Sequence, residues 1–251
     1  MPGARLESTV LISEVGPRDG LQSVARTMPT AAKLRWIAAL HAAGLREIEV
    51  ASFVPARLLP QMADAAEVVR DALRLRGLTV MALVPNLHGA QAALGAGVHK
   101  LTIPVSASAA HSLANVRKTR EVRRLFQRLR SALGTRAGAA HLHNTRGLRL
   151  ANCLAAFDVG VRSFDASLGG LGGCPHAPGA SGNVVTEDLV FVFEAMGVPT
   201  GVDLGRLMAA REPLRAGLPG ETIYGMTPEA GLPLGFIDAH GRAAPAIKIP
   251  S

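Results

Sequence analysis

Two histidines, at positions 141 and 143, are the residues whose type and spacing point most directly to chemistry. They lie in residues 139–144, which the pattern predicts as a strand. Residues i and i+2 of a strand face the same side, so both imidazole rings can reach one metal ion. A pair of buried or solvent-facing histidines fits this short motif equally well.

Oxygen ligands for such an ion lie near the ends of two other predicted strands. Asp19 follows the first strand, and Asn183 lies in a glycine-rich loop. Two imidazoles, a carboxylate and an amide oxygen, with room left for substrate oxygens, suit an octahedral Mg²⁺ or Mn²⁺. The closed tetrahedral geometry that Zn²⁺ prefers is not implied by this set.

The glycine-rich loop, residues 169–183, holds six glycines, two prolines and one cysteine. Such a composition cannot form a regular strand or helix interior. The loop joins the predicted strand 162–167 to a helix that begins near Thr186, which is where α/β enzymes place catalytic groups. Cys174 is therefore a candidate acid or base. The alternative is a plain linker. Cys153, in an alanine-rich helix, is interpreted as core packing.

Two further charged residues lie at predicted strand ends. Arg18, beside Asp19, can hold a fixed positive charge over a developing enolate oxygen. Glu49, near the end of the second strand, can orient Arg18 or the substrate. For both residues the alternative is a simple ion pair at the mouth of a barrel.

The elements that must position these residues alternate as strand and helix, which predicts parallel strands with right-handed crossovers. We therefore predict an α/β fold, a TIM-barrel-like repeat shortened to about six βα units where a complete barrel has eight. Residues 1–205 would form this domain and residues 206–251 an irregular C-terminal extension. The predicted strands are 10–15, 47–52, 78–84, 100–105, 139–144 and 162–167.

Composition narrows the class of protein. The 251 residues are 48% hydrophobic and 18% charged, enough to bury a large core. Much of the net charge of +8 falls on one predicted amphipathic helix, 115–133, and one Trp and one Tyr give little surface for base stacking. We therefore expect no nucleic-acid partner. No apolar run reaches ~18 residues, so no membrane span is expected. Two cysteines and no apolar leader favour a reducing, cytoplasmic setting.

Several longer motifs carry a family resemblance. EVGPRDGLQ at 14–22 resembles the signature of 3-hydroxy-3-methylglutaryl-CoA lyases. The same family is matched by IEVASFV at 48–54, PQMAD at 60–64, LVPN at 83–86, HLHNT at 141–145, the loop 170–183 and TEDLV at 186–190. The resemblance covers nearly all of residues 9–205.

The resemblance implies a TIM barrel that holds a divalent metal and cleaves a carbon–carbon bond in an acyl-CoA substrate. A base would remove the proton of the tertiary hydroxyl, and the products would be acetoacetate and the enolate of acetyl-CoA. A role in leucine degradation is implied as well, and homo-oligomer formation is left open. The implied metal ligands are Asp19, His141, His143 and Asn183, and the implied catalytic residues are Arg18 for the enolate, Glu49 to assist it, Cys174 for proton transfer, and His141.

The chain departs from the family between residues 105 and 139. Two family strands, the helix between them and a Gly-Asp-Thr segment with a catalytic aspartate have no counterpart, and the helix 115–133 resembles the start of one family helix fused to the end of a later one. Asn144 stands where many relatives carry Asp. Three hypotheses follow: an active lyase, a shortened and catalytically impaired homologue that still binds metal or acyl-CoA, or an acyl-CoA condensing enzyme of the same superfamily. We expect the strands 100–105 and 139–144 to pair directly across the gap.

Overall fold

The structure, a computed structural model, describes residues 9–103, 119–134, 138–144, 147–172 and 182–243. The strands are β1 (Leu11–Glu14), β2 (Glu47–Ser52), β3 (Thr79–Leu83), β4 (Lys100–Thr102), β5 (Ala140–His141) and β6 (Ser163–Ala166). The helices are α1 (Thr30–Ala42), α2 (Ala65–Ala72), α3 (Leu87–Gly95), α4 (Thr119–Leu133), α5 (Arg149–Asp158), α6 (Thr186–Ala195), α7 (Leu204–Ala209), α8 (Arg211–Gly217) and α9 (Met226–Ala230).

The six strands form one parallel sheet in the order β4-β3-β2-β1-β6-β5. β1 lies near its centre, and its last residue, Glu14, is in register with Ile48 of β2 and Ala166 of β6. The carboxyl ends of β1 and β6 therefore lie level, and β2 continues past them to Ser52 at the same edge of the sheet. The predicted α/β fold with a shortened, TIM-barrel-like repeat is confirmed.

The sheet ends at β4 on one side and β5 on the other. Over the described residues β4 pairs with β3 and β5 pairs with β6, and no ladder joins the two edge strands. The predicted pairing of strands 100–105 and 139–144 is therefore wrong. Closing a barrel requires strand number, tilt and stagger to agree, and the six described strands form an open sheet instead.

The helices bury the outer face of the sheet around a continuous apolar core. Trp36, Ile37 and Leu40 of α1 are fully buried. α1 packs against α2, α7 and α8. Residues 204–230, most of which were predicted as irregular, thus hold three short helices, two of them on α1. A domain boundary at residue 205 would fall inside α7, and that division stays a prediction.

α4 crosses between the two edge strands along the chain and packs against α5. Val122 is buried, whereas Arg120, Arg123 and Arg128 point to solvent, as the amphipathic pattern predicts. Arg123 forms an exposed ion pair with Asp158 of α5. No helix within the described ranges is both long and apolar enough to span a membrane.

Candidate active site

The first half of the site is built by a short π-helical turn, Gly16–Gly20, directly after β1. The backbone N–H groups of Asp19 and Gly20 both donate to the carbonyl oxygen of Val15, at 2.7 and 3.4 Å. Glycines begin and end the turn, and Pro17 sets the backbone angle at its start. Single π turns of this kind occur often at functional sites. The turn presents Arg18 and Asp19 at the carboxyl edge of the sheet.

Arg18 is held between two carboxylates. Its Nε donates to Glu49 Oε2 at 2.5 Å, its Nη2 contacts the same oxygen, and its Nη1 donates to Asp19 Oδ1 at 2.7 Å. Arg18 is 6% exposed and Glu49 1% exposed. Glu49 lies where β2 shifts register against β3, an irregularity that re-aims side chains. Burial raises the pKa of Glu49, although the Arg18 charge opposes that rise.

Asp19 receives three hydrogen bonds. Oδ1 accepts from Arg18 and from Gln22 Nε2 at 3.0 Å, and Oδ2 accepts from Asn183 Nδ2 at 2.7 Å. Burial alone would raise the pKa of Asp19. The positive charge of Arg18, followed by the contributions of His141, Asn183 and His143, outweighs burial and lowers this pKa. Asp19 is thus held as a carboxylate.

The second half of the site contains the two histidines. Nε2 of His141 lies 3.2 Å from Nε2 of His143, and Nδ1 of His141 lies 3.1 Å from Asp165 Oδ2. Two ligands about 2.1 Å from a shared octahedral ion and at right angles to each other lie roughly 3 Å apart. Partial burial would lower the pKa of His141, but the hydrogen bond and charge of Asp165, together with Asp19, raise it.

Asn183 joins the two halves. Its backbone N–H donates to the Gly172 carbonyl at 2.9 Å, its Nδ2 donates to the Leu171 carbonyl at 3.1 Å, and it forms an antiparallel bridge with His143. This bridge explains why the predicted strand 139–144 is reduced to β5. Gly172 has φ +101°, and a Cβ there would lie 2.8 Å from Asn183 Nδ2, so only glycine fits.

A divalent metal fits these residues chemically. Asn183 Oδ1 is buried and has no hydrogen-bond partner among the described residues, so it is an acceptor without a donor. The histidine Nε2 pair and the Asp19 carboxylate complete a nitrogen and oxygen donor set. Within the described ranges, however, no three His, Cys, Asp or Glu side chains are already gathered around one ion position. Both oxygens of Asp19 are engaged by other groups, so a shared coordination sphere of Asp19, His141 and His143 stays a prediction.

Of the two cysteines, only Cys153 lies in the part of the chain that the structure describes. Cys174 lies outside the described residues, so its role stays a prediction. Cys153, in α5, is buried as expected, and burial raises the pKa of its thiol to about 12. A thiol with such a pKa remains protonated and unreactive at neutral pH.

Three polar residues at the site were not singled out from the sequence: Gln22, Asp165 and Glu14. Glu14, fully buried, accepts from the backbone N–H groups of Gly16 and Leu168, both at 2.9 Å, and from the Thr186 hydroxyl at 2.6 Å. These hydrogen bonds connect the ends of β1 and β6 to the start of α6. A carboxylate near the end of the largely apolar strand 10–15 is the signal that would have revealed Glu14. For Asp165, in residues 162–167, the surrounding strand is too polar to provide such a signal.

Comparison with known families gives a match over most of the chain. The HMGL-like family model matches residues 9–133 and, in a second segment, residues 116–213. The chain belongs to the HMGL-like family. The two matched segments overlap across α4, so this helix matches the family twice. The overlap supports the interpretation of α4 as a fusion of two family helices.

The relatives are lyases that act on CoA thioesters. Hydroxymethylglutaryl-CoA lyase of Bacillus subtilis is 34% identical over 270 positions, covering 80% of this chain and 90% of the relative. (R)-citramalyl-CoA lyase of Chloroflexus aurantiacus is 33% identical and covers 88% and 95% of the two chains. An HMG-CoA lyase structure from Acinetobacter baumannii, in complex with coenzyme A and 3-methylmalate, superimposes with a TM-score of 0.83 at 31% identity, covering 91% and 97%.

The alignment with the B. subtilis relative also shows how many of its positions have no counterpart in this chain. Its 270 positions include 80% of the 251 residues, or about 201, so about 70 positions hold no residue of this chain. A missing piece of that size fits the loss of two βα units, each of which occupies roughly 30 residues or more.

Proposed function

We propose that this protein is a metal-dependent carbon–carbon lyase that cleaves 3-hydroxy-3-methylglutaryl-CoA or a close analogue to acetyl-CoA and acetoacetate. The observation that carries this proposal is the Arg18 guanidinium, buried and fixed by Glu49 and Asp19 beside the histidine pair. A fixed positive charge next to a metal-type donor set is what an enolate-forming cleavage requires.

The reaction balances without a further reactant. A base takes the proton of the tertiary hydroxyl, and the electron pair left on that oxygen forms the ketone C=O of acetoacetate. The adjacent C–C bond breaks, and its electrons become the enolate of the thioester. In this proposal the Arg18 charge stabilises the enolate oxygen, and the hydrogen bond to Glu49 supports that role by fixing the guanidinium plane. A proton, which Cys174 is proposed to donate, then returns to the enolate carbon. His141 is proposed to take part as well.

A divalent cation held by Asp19, His141, His143 and Asn183 would supply positive charge to the substrate's hydroxyl and carbonyl oxygens. The ring Nε2 atoms of the two histidines face each other for this purpose. Mg²⁺ or Mn²⁺ fits the mixed nitrogen and oxygen set. A cytoplasmic location and a part in leucine degradation remain predictions.

The decisive experiment measures acetyl-CoA release from 3-hydroxy-3-methylglutaryl-CoA by the purified full chain, with Mg²⁺ or Mn²⁺ and after chelation with EDTA. We expect metal-dependent release at a turnover below that of the B. subtilis relative, since the segment with the family's catalytic aspartate has no counterpart here. Turnover equal to that relative would show that the missing segment is dispensable. No release with either metal would favour the impaired homologue, which binds acyl-CoA without cleaving it.

The acyl group is tested in the same assay. Citramalyl-CoA is a second candidate substrate because the C. aurantiacus lyase named for it aligns with a larger share of this chain than the B. subtilis lyase does. The ratio of kcat/KM for the two thioesters decides between them. A condensing activity would appear instead as consumption of acetyl-CoA together with a keto acid.

A further inference from the structure

Asp165 is a carboxylate in β6, next to the fully buried Phe164 and Ala166. Its neighbours in the sheet are Ser13 of β1 on one side and His141 of β5 on the other, each in direct register. Register partners on adjacent strands have side chains on the same face and within contact distance. The pairing of β5 with β6 therefore places the Asp165 carboxylate beside the His141 ring.

The chemistry of the two groups decides which of them donates the hydrogen bond in this contact. Oδ2 of Asp165 lies 3.1 Å from Nδ1 of His141. An ionised carboxylate only accepts hydrogen bonds, so Nδ1 must carry the proton. In the neutral ring the lone pair then lies on Nε2, which is the atom that faces Nε2 of His143 at 3.2 Å. Asp165 thus selects the His141 tautomer in which Nε2, the atom nearest His143, can bind an ion.

The position of His141 makes this support necessary. Its side chain is 37% exposed, and β5 is a two-residue strand at the edge of the sheet. The Asp165 side chain is 20% exposed and belongs to β6, which pairs on both sides. A half-exposed residue of an edge strand is therefore held by a residue of an interior strand.

We propose that Asp165 is a positioning residue for the metal site: it fixes the tautomer and ring orientation of His141 so that Nε2 is presented for a divalent cation. Such outer carboxylates typically contribute 10- to 100-fold to metal affinity. The inference rests on the proposed function, because it assumes that His141 binds the ion. It adds a residue outside the four implied ligands.

The test is direct titration of the full chain with Mn²⁺, following free Mn²⁺ by electron paramagnetic resonance. Asp165→Asn keeps the shape but removes the charge and lets the ring adopt either tautomer, so we expect a Kd about 10- to 100-fold weaker than wild type. Asp158→Asn is the matched control: Asp158 forms an exposed pair with Arg123, away from the histidines, and its Kd should be unchanged. The visible spectrum of bound Co²⁺ gives a second readout, which should change in Asp165→Asn only.

Unfolding by urea separates positioning from a structural role. Asp165→Asn that unfolds more easily but binds Mn²⁺ as tightly as wild type would overturn the proposal. If Asp165→Asn does not fold, Asp165→Glu, which keeps the charge but displaces it by one methylene, is expected to weaken Mn²⁺ binding, and wild-type affinity there would overturn the proposal. Wild type that binds no Mn²⁺ would overturn it too. Wild type that binds Mn²⁺ but releases no acetyl-CoA would count against the proposed function alone.

Discussion

The two halves of the site differ in how the fold holds them. Arg18 lies in the turn that follows β1, and Glu49 lies within β2; both strands have a neighbour on each side, and the two residues are 6% and 1% exposed. His141 lies on the edge strand β5, and its side chain is 37% exposed. The buried half, Arg18 with Glu49 and Asp19, is thus fixed by the folded sheet itself. The edge half, His141 with His143, depends on a few side-chain contacts.

This difference follows from the loss of the segment between β4 and β5. In a closed barrel every strand has two neighbours, whereas β5 has one among the strands that the structure describes. The edge half would therefore gain most from an ion that joins its two rings. In the buried half the charges are already fixed in place, whereas the order of the edge half depends on a bound ion. Substitutions in the two halves should therefore affect stability, activity and metal binding differently.

The largest effect is expected from Arg18→Met. Removing the guanidinium leaves Glu49 as a buried carboxylate without its counter-charge, a loss that typically costs about 3–5 kcal/mol of stability. It also removes the charge proposed for the enolate, which should lower kcat by about 10²- to 10³-fold. Urea unfolding and the acetyl-CoA assay measure the two losses.

The double variant Arg18→Met with Glu49→Gln is the control for that result. The neutral glutamine removes the unpaired charge, so stability should recover in large part while kcat stays low. Recovery of activity along with stability would mean that Arg18 serves the fold and not the reaction.

The buried half was also the half that the sequence predicted better. β2 runs from Glu47 to Ser52, as predicted, and the short range from β1 to the turn fixes Arg18 and Asp19 by local backbone rules. The contact of Asp165 with His141 depends on which strands pair, and that is decided by the whole sheet. The same limit explains the wrong pairing of β4 with β5: barrel closure is a property of all strands together, and no local pattern reports it.

A smaller effect in the buried half is expected from pH acting on Glu14. Burial raises its pKa to about 8, against the opposing hydrogen bonds from Thr186, Leu168 and Gly16. The folded protein therefore keeps a proton that the unfolded chain, with a pKa near the ordinary 4.5, has lost. The stabilisation that protonated Glu14 contributes is therefore fully present below pH 4.5, and it is lost as the pH rises towards 8.

Glu14→Gln removes this titration while keeping an acceptor for the backbone N–H groups. We expect the free energy of unfolding of wild type to fall by a few kcal/mol more than that of Glu14→Gln between pH 5 and pH 8, roughly 1 kcal/mol per pH unit. Parallel curves for the two proteins would show that Glu14 is ionised throughout this range.

The edge half should respond to metal. Ligand that binds only the folded state stabilises it by about 2.7 kcal/mol at 100 times its Kd. Mn²⁺ should therefore raise the unfolding midpoint of wild type, and His143→Ala should lose this rise while its metal-free stability changes by less than about 0.5 kcal/mol. A large loss of stability in His143→Ala without metal would place that residue among the structural contacts and contradict the contrast between the halves.

The smallest change in stability is expected from Cys174→Ser, which tests the proposed proton transfer. A serine hydroxyl is a far weaker acid than a thiol, so kcat should fall, by about 10²-fold or more if proton transfer limits turnover. A glycine-rich sequence such as 169–183 offers few side chains for burial, so the free energy of unfolding should stay within about 0.5 kcal/mol of wild type. Cys153→Ser is the matched control, because that thiol is buried in α5. This variant should lose stability, because it buries a hydroxyl group, and should keep its kcat.

Alkylation at pH 8 separates the two thiols further, since the Cys153 pKa of about 12 leaves that residue unreactive. Inactivation that follows labelling of Cys174 alone would support the assignment, whereas full activity after complete labelling of Cys174 would remove this residue from the mechanism.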